Sequence, residues 1–321
     1  MEWYYIVLIV IGIILILFLF LEYILALILY KKSFTRVSPK ENEEDLYNSL
    51  KTLNPWTKFI PGIIDTKKVL ENLPYQRITI TSYDGLKLQG YYYENPSKSD
   101  TYIISIHGYR GQCFQDGAIV NPFLKEDGYN FLYIDLRGHN NSEGSYIGFG
   151  IPDHKDLILW INYLDKLIKG KGNIFIHGLS MGAATSLLIV DKNLPKSVKG
   201  VIADSGFISP IEEIKHVISS NFHIPSFPLI YFLKMVVHHK AHYYIDECST
   251  IDTVKSSKLP ICFIHGDKDN FVPTRFTYLN YEACTSPKEI HIYQGVGHAL
   301  SQLNYPDEYR KMFNDFINKY K

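Results

Sequence analysis

The sequence is poor in the residues that mark several classes of protein. It has four cysteines in 321 residues, at 113, 248, 262 and 284, and none of their spacings is that of a zinc finger or a CxxC motif. Glycine (21) and proline (15) are sparse, while 46% of the chain is hydrophobic, which excludes collagen-like and disordered chains. We therefore expect a folded protein with a large core and no disulfide framework, metal or cofactor.

An excess of charge of one sign is also missing. The chain carries 33 basic and 33 acidic residues, and no local stripe of lysine or arginine stands out. A protein that binds phosphate polymers usually needs such a stripe. The sequence therefore predicts no nucleic-acid partner.

One long hydrophobic run opens the chain. Trp3–Leu21 is 19 residues without a charge, and apolar residues resume after Glu22 and continue to Leu29. A helix of 19 to 28 residues is about 28 to 42 Å long, enough for a hydrocarbon core of about 30 Å. We predict a single transmembrane helix within residues 1–30 that contacts the bilayer through residues 3–30. A buried helix of a soluble protein is the alternative.

The residues flanking this run bear on its fate and its orientation. A cleaved signal peptide is disfavoured, because the chain begins Met-Glu instead of with basic residues and no A-x-A site follows. Lys31, Lys32, Arg36 and Lys40 follow the run, and no basic residue precedes it. By the positive-inside rule we expect a single-pass membrane protein whose remaining chain lies on the cytoplasmic side.

Residues 31–74 are predicted to be a juxtamembrane helical connector. Ser38-Pro39-Lys40-Glu41 has the pattern of a capping box, and Leu46, Leu50 and Leu53 lie on one face of the helix that would follow. We expect Trp56, Phe59 and Ile60 to dock on the main domain.

Residues 75–321 alternate between strand and helix patterns. A hairpin is predicted around Asp84-Gly85, because alternating apolar residues flank that pair. Short apolar strands then alternate with helix-length segments, which indicates an α/β fold: a mainly parallel central sheet with helices on both faces. The predicted strands are 101–106, 130–134, 173–176, 198–203, 259–264 and 289–293. The predicted helices lie near 112–126, 153–169, 181–192, 274–284 and 307–320.

A candidate nucleophile stands where a strand passes into a helix. Gly178-Leu179-Ser180-Met181-Gly182 has the GxSxG pattern of a nucleophile elbow, in which flanking glycines let strand and helix approach closely. A serine hydroxyl needs an oriented base. His298 follows the last strand in a loop able to reach the elbow, whereas His107, His177 and His265 are expected to be buried at strand ends.

Three aspartates are candidates for the residue that orients His298. Asp269 is preferred, because Ser180, Asp269 and His298 then follow one another along the chain; Asp267 is expected to brace its loop. Asp204, after strand 198–203, is the remaining option. The carboxylate would hold the imidazole tautomer and stabilise the imidazolium.

In this order of motifs, GLSMG, HGDKD and GH, residues 76–320 resemble the α/β-hydrolase superfamily. The membrane helix and the IPSFPLIYFLK segment resemble, more narrowly, the membrane-anchored BEM46-like and prolyl-oligopeptidase-related hydrolases of low-GC Gram-positive bacteria. The resemblance implies an oxyanion hole formed by the backbone N–H groups of Tyr109 and Met181. The HGYRG segment departs from the HGGG of many lipases.

Residues 207–258 are predicted to form a small helical cap over Ser180. Its aromatic and aliphatic residues would suit an apolar substrate group, and core packing of the cap explains them equally well; they are Phe222, Phe227, Tyr231, Phe232, Met235 and Val236. His238 and His242 have an i, i+4 spacing, but no third ligand has a fixed spacing, so a solvated face is favoured over a metal site.

The sequence thus predicts a membrane-tethered serine hydrolase that cleaves a small-molecule ester, an amide or a short peptide through a Ser180 acyl-enzyme. Esterase, lipase and peptidase activities need the same residues and stay open. The alternatives are a catalytically silent binding or scaffold protein of the same fold and an acyltransferase.

Overall fold

The computed structural model describes residues 2–36, 54–221 and 223–321. An eight-stranded sheet lies at its centre, in the order β1-β2-β4-β3-β5-β6-β7-β8. The strands are β1 Gln76–Thr81, β2 Lys87–Tyr93, β3 Thr101–Ile106, β4 Asn130–Ile134, β5 Asn173–Leu179, β6 Val198–Asp204, β7 Ile261–Gly266 and β8 Lys288–Tyr293. From β4 to β8 in the sheet, every neighbouring pair is parallel, while β1 and β2 form an antiparallel edge.

Helices cover both faces of this sheet, as the sequence predicted. They are α1 Trp3–Ser33, α2 Ile60–Glu71, α3 Cys113–Val120, α4 Ile151–Leu167, α5 Met181–Leu187, α6 Pro210–Asn221, α7 Leu229–Ala241, α8 Thr250–Lys255, α9 Thr274–Ala283, α10 Ser301–Asn304 and α11 Pro306–Tyr320. One face packs on α2, α3 and α11, and the other on α4, α5, α9 and the α6–α8 region. The central strands are buried on both sides, which explains their continuous apolar sequences.

Two helices end earlier than the sequence pattern predicted. The helix expected over 112–126 ends at Val120, and the one expected over 181–192 ends at Leu187. Asn121 precedes a proline, a position at which helical backbone is disfavoured. Its side chain instead donates to Oγ of Ser105 at 2.9 Å and accepts from the Tyr133 hydroxyl at 3.1 Å.

The N-terminal helix has an exposed part and a docked end. Nearly all of residues 3–21 are exposed, and the helix is long and apolar enough to cross a membrane. Towards its end, Ala26 and then Phe34, just beyond the helix, are fully buried against the main domain. The N–H of Ile147 donates to the carbonyl of Phe34 at 2.7 Å. The exposed part of α1 is therefore a candidate membrane span, and its end is part of the folded domain.

The segment predicted as a helical connector is more irregular than expected where it is described. Helix α1 continues to Ser33, Thr35 pairs with Tyr146 as an isolated β-bridge, and α2 begins only at Ile60. Trp56 and Ile60 are buried, as expected. The predicted capping box at 38–41 and Leu46, Leu50 and Leu53 lie outside the described residues.

Candidate active site

Ser180 occupies a strained turn between β5 and α5. Its φ is 54° and its ψ is −113°, a region that side-chain-bearing residues rarely adopt. The turn is possible because its flanking glycines have no side chain: a Cβ on Gly178 would lie 2.2 Å from the Gly182 carbonyl oxygen, and one on Gly182 would lie 2.3 Å from that of Ile106. The close approach of β5 and α5 that these two glycines allow therefore places the Ser180 hydroxyl at the end of β5.

His298 lies between Ser180 and Asp269. Its Nδ1 is 2.6 Å from Oδ2 of Asp269, and its Nε2 is 3.0 Å from Oγ of Ser180. A carboxylate can only accept, so Nδ1 carries the proton and Nε2 is left as an acceptor for the serine hydroxyl. The structure thus brings together the three side chains that the sequence singled out from three separate strand ends.

Asp269 is held from two further directions. Its Oδ1 accepts hydrogen bonds from the N–H groups of Phe271 and Val272, both at 2.9 Å. Its Oδ2 also faces Nε2 of His265 at 2.9 Å, while Nδ1 of His265 faces the Thr277 hydroxyl at 2.6 Å. His265 is buried at the end of β7, as expected from the sequence, but this contact was not predicted.

These contacts shift the pKa values of the acid and the base in opposite directions. Burial alone would raise the pKa of Asp269, but the charge of His298 and hydrogen bonds from His265 and His298 hold it well below its usual range. Burial opposes protonation of His298, yet Asp269 raises the pKa of its imidazole above the ordinary value. The pair therefore favours a charged carboxylate beside an imidazole that readily accepts a proton.

The other candidate acids have different partners. Asp204 accepts hydrogen bonds from the hydroxyls of Ser205 at 2.9 Å and Tyr309 at 3.0 Å. Asp267 accepts one from the N–H of Gly295 at 2.6 Å, on the loop that leads to His298. Of the three aspartates weighed from the sequence, Asp269 is the one whose carboxylate contacts His298.

The backbone N–H groups of Tyr109 and Met181 are available as donors. Within the described part of the chain, neither has a hydrogen-bond acceptor. The loop that carries Tyr109 is braced, because Gly108 N–H donates to Asp116 Oδ2 at 2.7 Å and the Tyr109 hydroxyl donates to the carbonyl of Ser33 at 3.0 Å. The first of the two predicted oxyanion donors therefore lies on a loop fixed by the end of α1.

An apolar cavity opens over Ser180. Its empty space is about 670 Å³, counted out to its mouth. The walls combine the end of α1, loops at the strand ends and the cap helix α6, and include Leu29, Phe34, Phe149, Phe207, Ile218 and Phe271. Such a cavity suits an apolar substrate group.

The described part of the predicted cap interval is helical, with helices α6 to α8. The residues considered for the substrate group are not among those that line the cavity. Phe227, Tyr231 and Met235 are exposed by 71%, 58% and 63%, whereas Val236 and Phe232 pack in or against the core, which was the alternative left open by the sequence. Phe222 lies outside the described residues. The cap's contribution to the cavity wall comes instead from α6, whose apolar face the sequence analysis did not use.

The cap histidines take part in an aromatic contact. The ring of His238 stacks on that of Tyr244 with centroids 3.9 Å apart. The Tyr244 hydroxyl is 3.1 Å from Nε2 of His238. Among the residues described, no group of three histidine, cysteine, aspartate or glutamate side chains is arranged to hold a metal ion.

Comparison with known proteins supports the fold. A family model described as the alpha/beta hydrolase fold matches residues 102–232, which include the elbow. The structure of the esterase Pf2001 from Pyrococcus furiosus is similar with a TM-score of 0.63 and 25% identity, covering 79% of this chain and 95% of that one. The chain has the α/β-hydrolase fold.

Curated relatives of this chain match it over most of its length. YqkD from Bacillus subtilis, an uncharacterized protein, is 28% identical over 79% of this chain and 83% of its own. YNL320W from Saccharomyces cerevisiae, an uncharacterized membrane protein, is 24% identical over 82% and 86%. Protein bem46 from Schizosaccharomyces pombe is 26% identical over 77% of both. These matches agree with the BEM46-like resemblance noted in the sequence.

Proposed function

We propose that the protein is a membrane-tethered serine hydrolase that cleaves an ester or amide through an acyl-enzyme on Ser180. The observation that carries this proposal is the continuous line of contacts from Asp269 through His298 to Ser180, at 2.6 and 3.0 Å. The strained backbone of Ser180 adds support, since strain of this kind persists at sites where it has a use.

In the first half-reaction His298 acts as base. Its Nε2 takes the proton from Oγ of Ser180 as Oγ attacks the substrate carbonyl carbon. Asp269 keeps the proton on Nδ1 and stabilises the imidazolium. The negative oxygen that develops would accept hydrogen bonds from the N–H groups of Tyr109 and Met181, each such donor contributing about 3 kcal/mol. His298 then gives its proton to the leaving alcohol or amine, which departs and leaves an ester on Ser180.

In the second half-reaction water replaces the leaving group. His298 removes a proton from the water, whose oxygen attacks the acyl carbon, and then returns the proton to Oγ of Ser180 as the acid is released. The same enzyme would be an acyltransferase if an alcohol took the place of water. The apolar walls of the cavity favour a hydrophobic acyl group.

The membrane tether is supported by α1. Its exposed residues Trp3–Leu21 would be unfavourable in water and are long enough to cross a bilayer. Lys31, Lys32 and Arg36 at its end favour a cytoplasmic catalytic domain. Protease added to sealed inverted vesicles should digest that domain, whereas protection in such vesicles would place it on the opposite side.

The catalytic proposal is tested with a fluorophosphonate probe, which reacts with activated serines. Wild-type protein should be labelled, and Ser180→Ala should not. Ser186→Ala is a matched control, because Ser186 is also buried and its hydroxyl only donates to the Ala183 carbonyl, at 2.7 Å. A folded wild-type protein that stays unlabelled would favour the silent binding or scaffold protein.

A further inference from the structure

The cavity above Ser180 contains a carboxyl group that the proposed reaction does not use. Glu213 lines it and is only 4% exposed. Neither carboxyl oxygen has a hydrogen-bond partner among the described residues. A buried polar group without a partner destabilises the folded state, so its presence calls for a reason.

Helix packing does not supply that reason. Glu213 lies on the face of α6 that also carries Ile214, Val217 and Ile218, all of which line the cavity. The adjacent Glu212 shows the ordinary arrangement: its side chain is 43% exposed and pairs with Lys215 at 2.7 Å. An acidic residue on the apolar side of an amphipathic helix, aimed into a substrate cavity, is suited to contact a ligand.

The protonation state of Glu213 bears on which ligand it suits. Burial raises its pKa to about 8, an effect that His298 opposes and Asp269 reinforces. Near pH 7 the carboxyl group is therefore mostly neutral, and it can both donate and accept a hydrogen bond. A hydroxyl group matches both capacities. An ammonium group would require the carboxyl to lose its proton and would lie close to the imidazole when that ring is positively charged.

The position of Glu213 indicates which half of the substrate it meets. It lines the cavity together with Phe271, whose ring centroid is 5.2 Å from that of His298, and the charge of His298 acts on its carboxyl group. In the proposed reaction His298 protonates the leaving oxygen, so groups beside its ring face the alcohol half of an ester. The N–H groups proposed for the oxyanion hole lie elsewhere: that of Tyr109 is on the loop between β3 and α3, and that of Met181 is at the elbow between β5 and α5.

We propose that Glu213 binds a free hydroxyl on the alcohol half of an ester, so that the substrate is a partially acylated polyol whose acyl chain lies among the apolar walls of the cavity. This inference rests on the proposed function of Ser180. It narrows that function to a substrate class and makes Glu213 a specificity-determining residue.

The test compares two esters of one acyl chain in the full-length protein. Glycerol monodecanoate offers free hydroxyls, and ethyl decanoate offers none. We expect wild-type kcat/KM to favour the glycerol ester by about tenfold, since one net hydrogen bond contributes about 1.4 kcal/mol. Glu213→Ala should remove this preference, so that the ratio of kcat/KM for the two esters falls to about one. Glu213→Gln, which keeps a donor and an acceptor, should retain part of the preference.

Glu212→Gln is the matched control, because it changes a neighbouring exposed carboxylate and should leave both rates unchanged. Fluorophosphonate labelling of Glu213→Ala shows whether the site is still folded. Any of three results would overturn this inference and leave the proposed function standing: an equal loss on both esters, an unchanged preference in labelled Glu213→Ala, or a loss confined to aminoacyl esters. A wild-type protein that is neither labelled nor active on either ester would overturn the proposed function and this inference with it.

Discussion

Nε2 of His265 contacts the same Asp269 oxygen that faces His298, at a distance of 2.9 Å. Oδ2 of Asp269 is therefore shared between two imidazoles, one of them in the core and one at the substrate cavity. Oδ1 of Asp269 accepts two further hydrogen bonds, from the backbone N–H groups of Phe271 and Val272. The orientation of the proposed acid thus depends on a histidine that does not itself meet substrate.

Replacing His265 should weaken catalysis through Asp269. In His265→Ala the carboxylate loses one donor and becomes a stronger partner for His298, so the pKa of His298 should rise further. We expect kcat/KM to fall about tenfold and the acid limb of its pH profile to shift to higher pH. His265→Gln, which keeps a donor, should restore most of both. A loss of thermal stability with an unmoved pH profile would instead indicate a purely structural role.

The pH dependence of the wild-type enzyme should follow His298. Its imidazole must be neutral to accept the Ser180 proton, and Asp269 raises its pKa above the ordinary 6.5. Activity should therefore rise with pH through a midpoint above that value. In Asp269→Asn the midpoint should move down and kcat should fall by about 10⁴, because the tautomer is no longer fixed. The measurement is kcat/KM for a soluble ester across pH; a midpoint that Asp269→Asn does not move would contradict it.

The elbow should not tolerate a methyl group. Gly182→Ala would place a Cβ 2.3 Å from the backbone oxygen of Ile106, so strand and helix must separate. We expect a loss of about 3 kcal/mol of unfolding free energy and no probe labelling. Gly62→Ala in α2 is the control, because nothing among the described residues lies within 4 Å of a Cβ added there and alanine favours a helix by about 1 kcal/mol. Chemical denaturation of both variants provides the comparison.

Deletion of residues 2–21 should separate tethering from catalysis. These residues are mostly exposed, and the end of α1 that contacts the main domain would remain. The shortened protein should leave the membrane fraction and still hydrolyse a soluble ester within about threefold of wild type. Fractionation after alkaline carbonate treatment and an ester assay measure the two properties. Full-length protein that carbonate extracts would contradict the tether.

The site geometry was more predictable than the substrate cavity. Ser180, Asp269 and His298 follow strand ends of a parallel sheet, and such ends converge on one edge, so local motifs were enough to group them. The cavity depends on how α1 and α6 pack over that edge. Glu213 could have been suspected from an acidic residue beside Ile214, Val217 and Ile218 on one helical face, whereas no local pattern indicates that Leu29 and Phe34 line the cavity.

Phe34 lines the cavity, and its carbonyl accepts a hydrogen bond from the N–H of Ile147. The carbonyl of Ser33 accepts one from the Tyr109 hydroxyl. If α1 spans a bilayer, its tilt depends on the thickness of the hydrocarbon layer. A change in that tilt would move both residues, and with them one wall of the cavity and the loop of Tyr109. The lipid composition of the membrane would then change the shape of the cavity above Ser180 without a ligand or a second protein.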